Sequence, residues 1–418
     1  MAGDFDMLKN FRVLDLTSEE GLLCGKILAD LGADVIKIEK PGGDSARNRG
    51  PFYKNMSDPE KSLFWYAFNA NKRGITLNVE LPDGREILKK LIQHADCVVE
   101  SFPVGYMKNI RLDYPSIREM NKKIIMTSIS PFGQEGPYKD YRGSDIVCMA
   151  MGGFLYLCGD PDRPPVGISL PHAYFFAGGD AAAATMIAYY HREQTGEGQW
   201  IDVSIQQSVA LTSFNSVPWW ELNQVIQKRM APFRLAGPHG GLVLRQTWPC
   251  KDGFINFILG SGVFGAKTNR LLTEWMDREG MAPEFMKKMD WNKLDASTLT
   301  QEFIREFDKY VGRFFLSHTM EELYEGAVRR GMQLYPVSNC RALAESAQLK
   351  DRGFWEQVDH PELSATITYP GAWVKMSEAK CNIRRRAPLI GEHNQEIYKG
   401  ELGFSDEELG ILKKAEVI

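Results

Sequence analysis

Apolar positions in the first third of the chain follow two alternating rhythms. Phe11-Arg12-Val13-Leu14-Asp15-Leu16 and Asp34-Val35-Ile36-Lys37-Ile38-Glu39 are short runs rich in branched residues and predict buried strands. Between them Gly25–Leu31 has helical spacing and stops at Gly32. Strand, helix and strand within about thirty residues make a βαβ unit, which requires parallel strands. The rhythm continues with a strand over Gly74–Asn78, a helix over Pro82–His94, a strand over Cys97–Glu100, a helix from near Tyr114 and a strand over Ile124–Ile129. The predicted fold class is α/β, with a doubly wound parallel sheet.

Further on, Ala177–Tyr190 is rich in Ala and Gly and predicts a tightly packed helix, followed by a Thr195-Gly196-Glu197-Gly198 turn and a strand over Trp200–Val203. Ile205–Asn223 predicts one long connecting helix interrupted at Pro218. From about Met230 the texture changes to a Gly-rich stretch, a strand pair around Lys251-Asp252-Gly253 and charged helices as far as Arg330. Gln333–Val337 and Thr366–Pro370 then read as a return to the first type. The expected division is residues 1–225 as the first part of a large Rossmann-like domain, 226–330 as a smaller α/β domain, and 331–418 as a segment completing the large one. No internal repeat or low-complexity tract interrupts this plan.

Composition adds exclusions. Of 418 residues, 44% are hydrophobic and 25% charged, which is globular, and a net charge of −4 gives no basic face for nucleic acid or anionic lipid. No apolar run reaches the roughly 18 residues a membrane span needs. The opening MAGDFDMLKN has no apolar h-region, so a cytoplasmic location is expected. The seven cysteines include no CxxC pair and no His/Cys cluster with ligand spacing, so they read as reduced core thiols and no metal is expected.

Candidate chemistry sits mostly after strands, where parallel sheets bind ligands. Glu19 and Glu20 follow the first strand and read either as first-turn acids of a helix or as groups facing a ligand. Lys37/Lys40, Arg47/Arg49 and Asn71-Lys72-Arg73 read as three basic clusters just after strands. Each alone reads as solvated surface; together they suit the phosphates of a nucleotide-like ligand. Gly237-Pro238-His239-Gly240-Gly241 is either a tight turn or a mobile lid. Phe214, Trp219, Trp220 and Tyr174 read as plain core or as an aromatic acyl pocket. There is no P-loop, HExxH, GxSxG or GxGxxG in the expected context.

Several longer motifs, in order, resemble family III CoA-transferases (the CaiB/BaiF type). They are Phe11–Leu16 with Leu28–Gly43, Asn69–Leu77, Asp96–Phe102, His191–Ser204 and Ala387–Ile397. The resemblance implies a large domain built from both chain ends, a smaller domain between, and an interlocked dimer. It implies CoA as a substrate without a metal, with an acyl-CoA and a carboxylic acid as the reacting pair. By motif position it implies that Lys40, Asn71, Lys72, Arg73, Ser101 and Phe102 line the CoA site, and that Gly237, His239, Gly240 and Gly241 belong to a mobile loop over the thioester.

The family's nucleophile is an aspartate four residues before a glycine, at a set distance from a later Thr-Gly turn. Gly178 and Thr195-Gly196 put that position at Tyr174, and no Asp or Glu occurs between Asp162 and Asp180. Glu19 stands where the family often has glutamine. A phenol with a pKa near 10 does not substitute for an acyl-accepting carboxylate. The resemblance therefore implies the aspartate-lacking subunit of a two-chain enzyme of the benzylsuccinate type, whose paralogous partner carries the aspartate. The alternatives are a CoA-ester isomerase or racemase using His172, Glu19 and Asp180, or a non-catalytic acyl-CoA-binding protein.

Overall fold

The computed structural model describes residues 7–236, 241–295, 297 and 299–418. The chain forms two compact units: one holds the residues up to Phe154, Ile168–Phe214 and Gln348–Ile418, the other Leu155–Gly167 and Asn215–Ala347.

The first unit is built on β1 (Arg12–Leu16), β2 (Asp34–Glu39), β3 (Arg73–Thr76), β4 (Cys97–Glu100), β5 (Ile125–Ser130) and β6 (Trp200–Ser204). They form one sheet in the order β3-β2-β1-β4-β5-β6, and every pair is parallel. Helices cover both faces, so the strands are apolar on both sides. Its helices up to Phe214 are, in chain order, α1 (Leu22–Asp30), α2 (Leu63–Asn69), α3 (Pro82–Gln93), α4 (Tyr106–Asn109), α5 (Tyr114–Met120), α6 (Asp145–Met151), α7 (His172–Thr195) and α8 (Ile205–Thr212), and Asp406–Lys414 forms another near the C-terminal end. One face packs Leu14, Ile36, Ile75 and Val98 against Leu88 and Leu91 of α3 and Ile117 of α5. Pro82 and Asp83 open α3 where a missing N–H and an acidic side chain are both tolerated.

The opposite face carries α1 and α7. Buried Ala173, Ala177, Gly178, Ala181 and Ala182 give α7 a flat flank. A Cβ on Gly178 would lie 2.8 Å from the Cβ of Leu23, so the two helices meet closer than any side chain allows. Gly196, at φ 80°, ends α7 in the left-handed region.

The predicted single helix over Ile205–Asn223 is two, α8 and Ser216–Asn223, separated at Ser213–Asn215. Pro218 lies in the first turn of the second, where proline needs no N–H partner. The Ala365–Pro370 strand, read as part of the return, pairs antiparallel with Trp355–His360 in a separate two-stranded sheet.

The second unit has a hairpin, Phe233–Ala236 with Leu242–Arg245, and a sheet in which Phe254–Asn256 is flanked by Thr247–Pro249 and Tyr335–Pro336. Tyr335–Pro336, read as returning to the large domain, thus completes a sheet of the smaller unit. The core of this unit joins Trp248, Phe257, Phe307, Phe314 and Phe315. Among the described residues no helix is long and apolar enough to cross a membrane.

Candidate active site

The strand order places β1 beside β4 while the chain runs outward from β1 to β3 on one side and from β4 to β6 on the other. At such a switch point the loops after the two central strands diverge and leave a crevice at their carboxyl ends. The crevice is a cavity of about 450 Å³ lined by Ser18 after β1, Lys40 and Asp44 after β2, Leu77 after β3, and Ser101 and Phe102 after β4. Lys40, Ser101 and Phe102 of the sequence-predicted set therefore share one wall system.

Its polar groups are partly pre-engaged. The Ser18 N–H donates to Ser101 Oγ at 2.9 Å, and Ser18 Oγ donates to Asp44 Oδ1 at 2.9 Å. Phe102 stacks on Tyr106 with centroids 4.4 Å apart. Lys40 Nζ contacts Glu80 Oε1 at 2.7 Å, with both side chains more than half exposed. Such a surface pair is worth little, so the ammonium is readily redirected to a ligand phosphate.

Asn71, Lys72 and Arg73 have a different environment. Lys72 is fully buried, and its three protons go to Asp15 Oδ2 at 2.7 Å, the Leu22 carbonyl at 3.0 Å and Asn69 Oδ1 at 3.0 Å. Burial pushes the Asp15 carboxyl up, but the ammonium groups of Lys72 and Lys37 outweigh this and hold it below the ordinary aspartate value. Asn71 Nδ2 donates to Asp30 Oδ1 at 2.7 Å and the Asn382 carbonyl at 2.9 Å, and its Oδ1 accepts from the Arg384 N–H at 2.6 Å. Arg73 forks onto Asp34 at 2.9 and 2.6 Å and reaches Glu396 and Glu401 at 2.7 and 2.6 Å. These three side chains lock β3 to β1, α1 and the C-terminal segment.

Sequence reasoning passed over Glu100, the last residue of β4. It is 3% exposed, and Oε2 accepts from the Phe102 N–H at 2.8 Å, which sets the turn carrying Ser101 and Phe102. Burial drives its carboxyl up to about 7, opposed by the Ser128 hydroxyl and the Phe102 N–H and assisted by the charge of Asp202. A carboxyl raised in the folded state leaves stability intact below the unfolded value near 4.5 and erodes it as pH rises towards 7. Glu100→Gln is therefore expected to be near neutral at pH 5 and to stabilise at pH 8 by up to roughly 3 kcal/mol. Urea melts of both proteins at the two pH values measure this; equal effects at both would refute it.

Tyr174 lies in the first turn of α7 and is 7% exposed. Among the described residues its hydroxyl has no hydrogen-bond partner. Burial pushes the phenol well above its ordinary value, and the charges of Glu20, Cys148, Glu19 and Asp145 push it the same way. Glu20 is itself raised, by burial first and then by Glu19 and Asp44. Glu19 pairs with Arg49, whose guanidinium lies 4.7 Å over the Phe64 ring.

Asp145, also missed from sequence, heads α6 and accepts from the Ala173 N–H at 2.8 Å and from the Tyr174 N–H. Burial raises its carboxyl while these two donors oppose the rise. It caps α7 from another element, since Pro171 offers no side-chain cap. The only sequence trace is Ser144-Asp145 before an apolar run, a helix-start signal. His172 Nδ1 lies 3.1 Å from the Leu170 carbonyl and its ring meets Phe175 and Phe176, while Asp180 is exposed further along α7.

Gly237, His239 and Gly240 of the predicted loop lie outside the described residues; Gly241 directly precedes the strand Leu242–Arg245. Of the aromatic residues read as a possible acyl pocket, Tyr174 and Phe214 belong to the first unit, where Phe214 is 73% exposed, and Trp219 and Trp220 to the second. Phe175, beside Tyr174, stacks on Phe68 with centroids 5.1 Å apart. Among the described residues no three metal-ligating side chains converge.

Residues 8–394 match the model of CoA-transferase family III. The chain is 35% identical over 404 residues to the succinyl-CoA:(R)-benzylsuccinate CoA-transferase subunit BbsE of Thauera aromatica, covering 95% of this chain and 94% of that one. It is 30% identical to the formyl-CoA:oxalate CoA-transferase of Streptomyces avermitilis, covering 98% and 99%. Among solved structures, a CAIB/BAIF family protein from Brucella suis superposes with a TM-score of 0.80 at 25% identity, covering 95% of this chain and all of that one.

Proposed function

Because the chain belongs to CoA-transferase family III, and so serves the transfer of CoA between an acyl-CoA and a carboxylic acid, we propose that it is the subunit lacking the nucleophile in a two-chain enzyme. The observation that carries this is Tyr174, a buried phenol of raised pKa, which the spacing to Gly178 and Thr195-Gly196 assigns to the position of the family's aspartate. Transfer needs a carboxylate to attack the thioester carbonyl. A mixed anhydride forms and CoA thiolate leaves; the thiolate then attacks the enzyme's own carbonyl of the anhydride, freeing the first acid and leaving an enzyme thioester. The second acid repeats the sequence in reverse. A phenol that stays protonated at neutral pH is no such nucleophile, so the attacking carboxylate comes from a paralogous chain.

CoA in this reading occupies the crevice at the switch point, with Lys40 towards a phosphate and Ser101 and Phe102 along the wall. Asn71, Lys72 and Arg73 support that wall from behind. The partner chain would cover exposed apolar side chains on α7 and α8, where Ile187, Tyr190 and Leu211 are 69%, 70% and 61% exposed. An interlocked hetero-oligomer, a cytoplasmic location and an aromatic dicarboxylic acid as substrate complete the reading; the last is supported by the 35% identity to a benzylsuccinate enzyme subunit. His172 held at Leu170, Glu19 held by Arg49 and Asp180 exposed on α7 weigh against acid–base isomerisation.

The purified chain alone is expected to bind CoA by calorimetry and to move no label from acyl-CoA to free acid. Steady turnover by the isolated chain would refute the division of labour.

A further inference from the structure

A second cavity, of about 340 Å³, lies on the sheet beneath α4 and the start of α5. Its polar base is a relay: Trp200 Nε1 donates to Ser128 Oγ at 3.0 Å, and the Ser128 hydroxyl hydrogen-bonds Glu100. The anchored N–H sets the plane of an indole that is nevertheless 43% exposed, and Met126 adds an apolar floor. Lys108 and Lys139 also line the cavity, and neither has a carboxylate partner among the described residues. Asp113, the other acid of the lining, is engaged by the hydroxyl of Ser116.

We propose that this cavity binds a small aromatic monocarboxylate, with its ring on Trp200 and its carboxylate between Lys108 and Lys139. A planar apolar body matches a restrained, half-open indole. Two unpaired ammonium groups offer charge-assisted hydrogen bonds to one carboxylate. The apolar end of the ligand faces Glu100, whose carboxyl burial raises to about 7, so that near neutral pH it is only partly ionised. The site has its own lining, distinct from that of the crevice at the switch point, so the proposal does not rest on how CoA is held; Glu100 lines it and also accepts from the Phe102 N–H of the crevice wall.

Benzoate is the probe, read by quenching of intrinsic tryptophan fluorescence, with benzyl alcohol as the uncharged control. Saturable quenching by benzoate is expected, lost in Trp200→Phe. Lys108→Ala/Lys139→Ala should raise Kd by about tenfold or more, at unchanged CoA affinity and melting temperature. Should Trp200→Phe not fold, the exposed lysine pair decides alone. Quenching that does not saturate, that survives Trp200→Phe, that ignores the lysines, or that benzyl alcohol matches in affinity would overturn the assignment.

Discussion

Lys72→Met is expected to destabilise the protein by about 3–5 kcal/mol, the usual consequence of removing one partner of a buried ion pair. Both side chains of the Lys72–Asp15 pair are fully buried, so the substitution leaves a carboxylate with no solvent to neutralise it. Lys37 is also buried close by and softens the loss without removing it, because its Nζ is already engaged by the Thr17 carbonyl. Asp15 in turn accepts from the Thr17 N–H at 3.0 Å and Thr17 Oγ1 at 2.6 Å, so the strain passes straight into the turn leading to Ser18. Asp15→Asn combined with Lys72→Met should recover a large part of the stability, since the amide keeps the Thr17 contacts and carries no charge. Urea unfolding of the two single variants and the pair gives the coupling directly. A loss below about 1 kcal/mol for Lys72→Met would mean that the pair is not the internal clasp its geometry indicates.

Tyr174→Asp is expected not to create a nucleophile. A carboxylate there would inherit the burial of the phenol and the neighbouring Glu20, Glu19 and Asp145, all of which raise its pKa and hold it protonated. Phe175, packed on Phe68, further limits room for an acyl group beside it. The variant is mixed with candidate acyl-CoAs and hydroxylamine, alone and together with a paralogous chain bearing aspartate at this position, and adducts are located by mass spectrometry. The expected outcome is all-or-nothing: no hydroxamate at residue 174, and a full adduct on the aspartate of the added chain. A hydroxamate at 174 would show that only the one side chain had been lost and the surrounding site had stayed competent.

Strand runs of the first third were legible because a doubly covered sheet demands continuous apolar residues, and β1, β2, β4 and β5 fall where those runs lie. The start of α7 was not. Its first N–H groups are capped by Asp145, 28 residues earlier, so no local capping residue marks the boundary. Lys40 was noticed for its place after a strand, whereas Ser101 and Phe102 were implied only by the family resemblance; all three line the switch-point crevice. The inward orientation of Lys72 was not legible, because Asn-Lys-Arg at a strand entrance looks the same on paper whether the ammonium meets water or Asp15. Glu100 went unnoticed for a related reason: an acid ending a strand is ordinary, and only burial under α4 gives it a pKa near 7.

Asn71, held at φ 69°, joins Asp30 to residues that leave the ribosome about 310 positions after it, the Asn382 carbonyl and the Arg384 N–H. Trp65 Nε1 and Arg47 Nη2 both donate to the Pro388 carbonyl, and the Thr76 carbonyl accepts from the Tyr398 hydroxyl. At roughly 5–20 residues per second, the outer strand β3 waits on the order of 15–60 s during synthesis for the segment that covers it. The nascent N-terminal half therefore spends that interval with β3 half-covered. A chain cut before Asn382 loses the partners that Asn382, Arg384, Pro388 and Tyr398 supply to Asn71, Arg47, Trp65 and Thr76, and is expected to leave β3 open on that side.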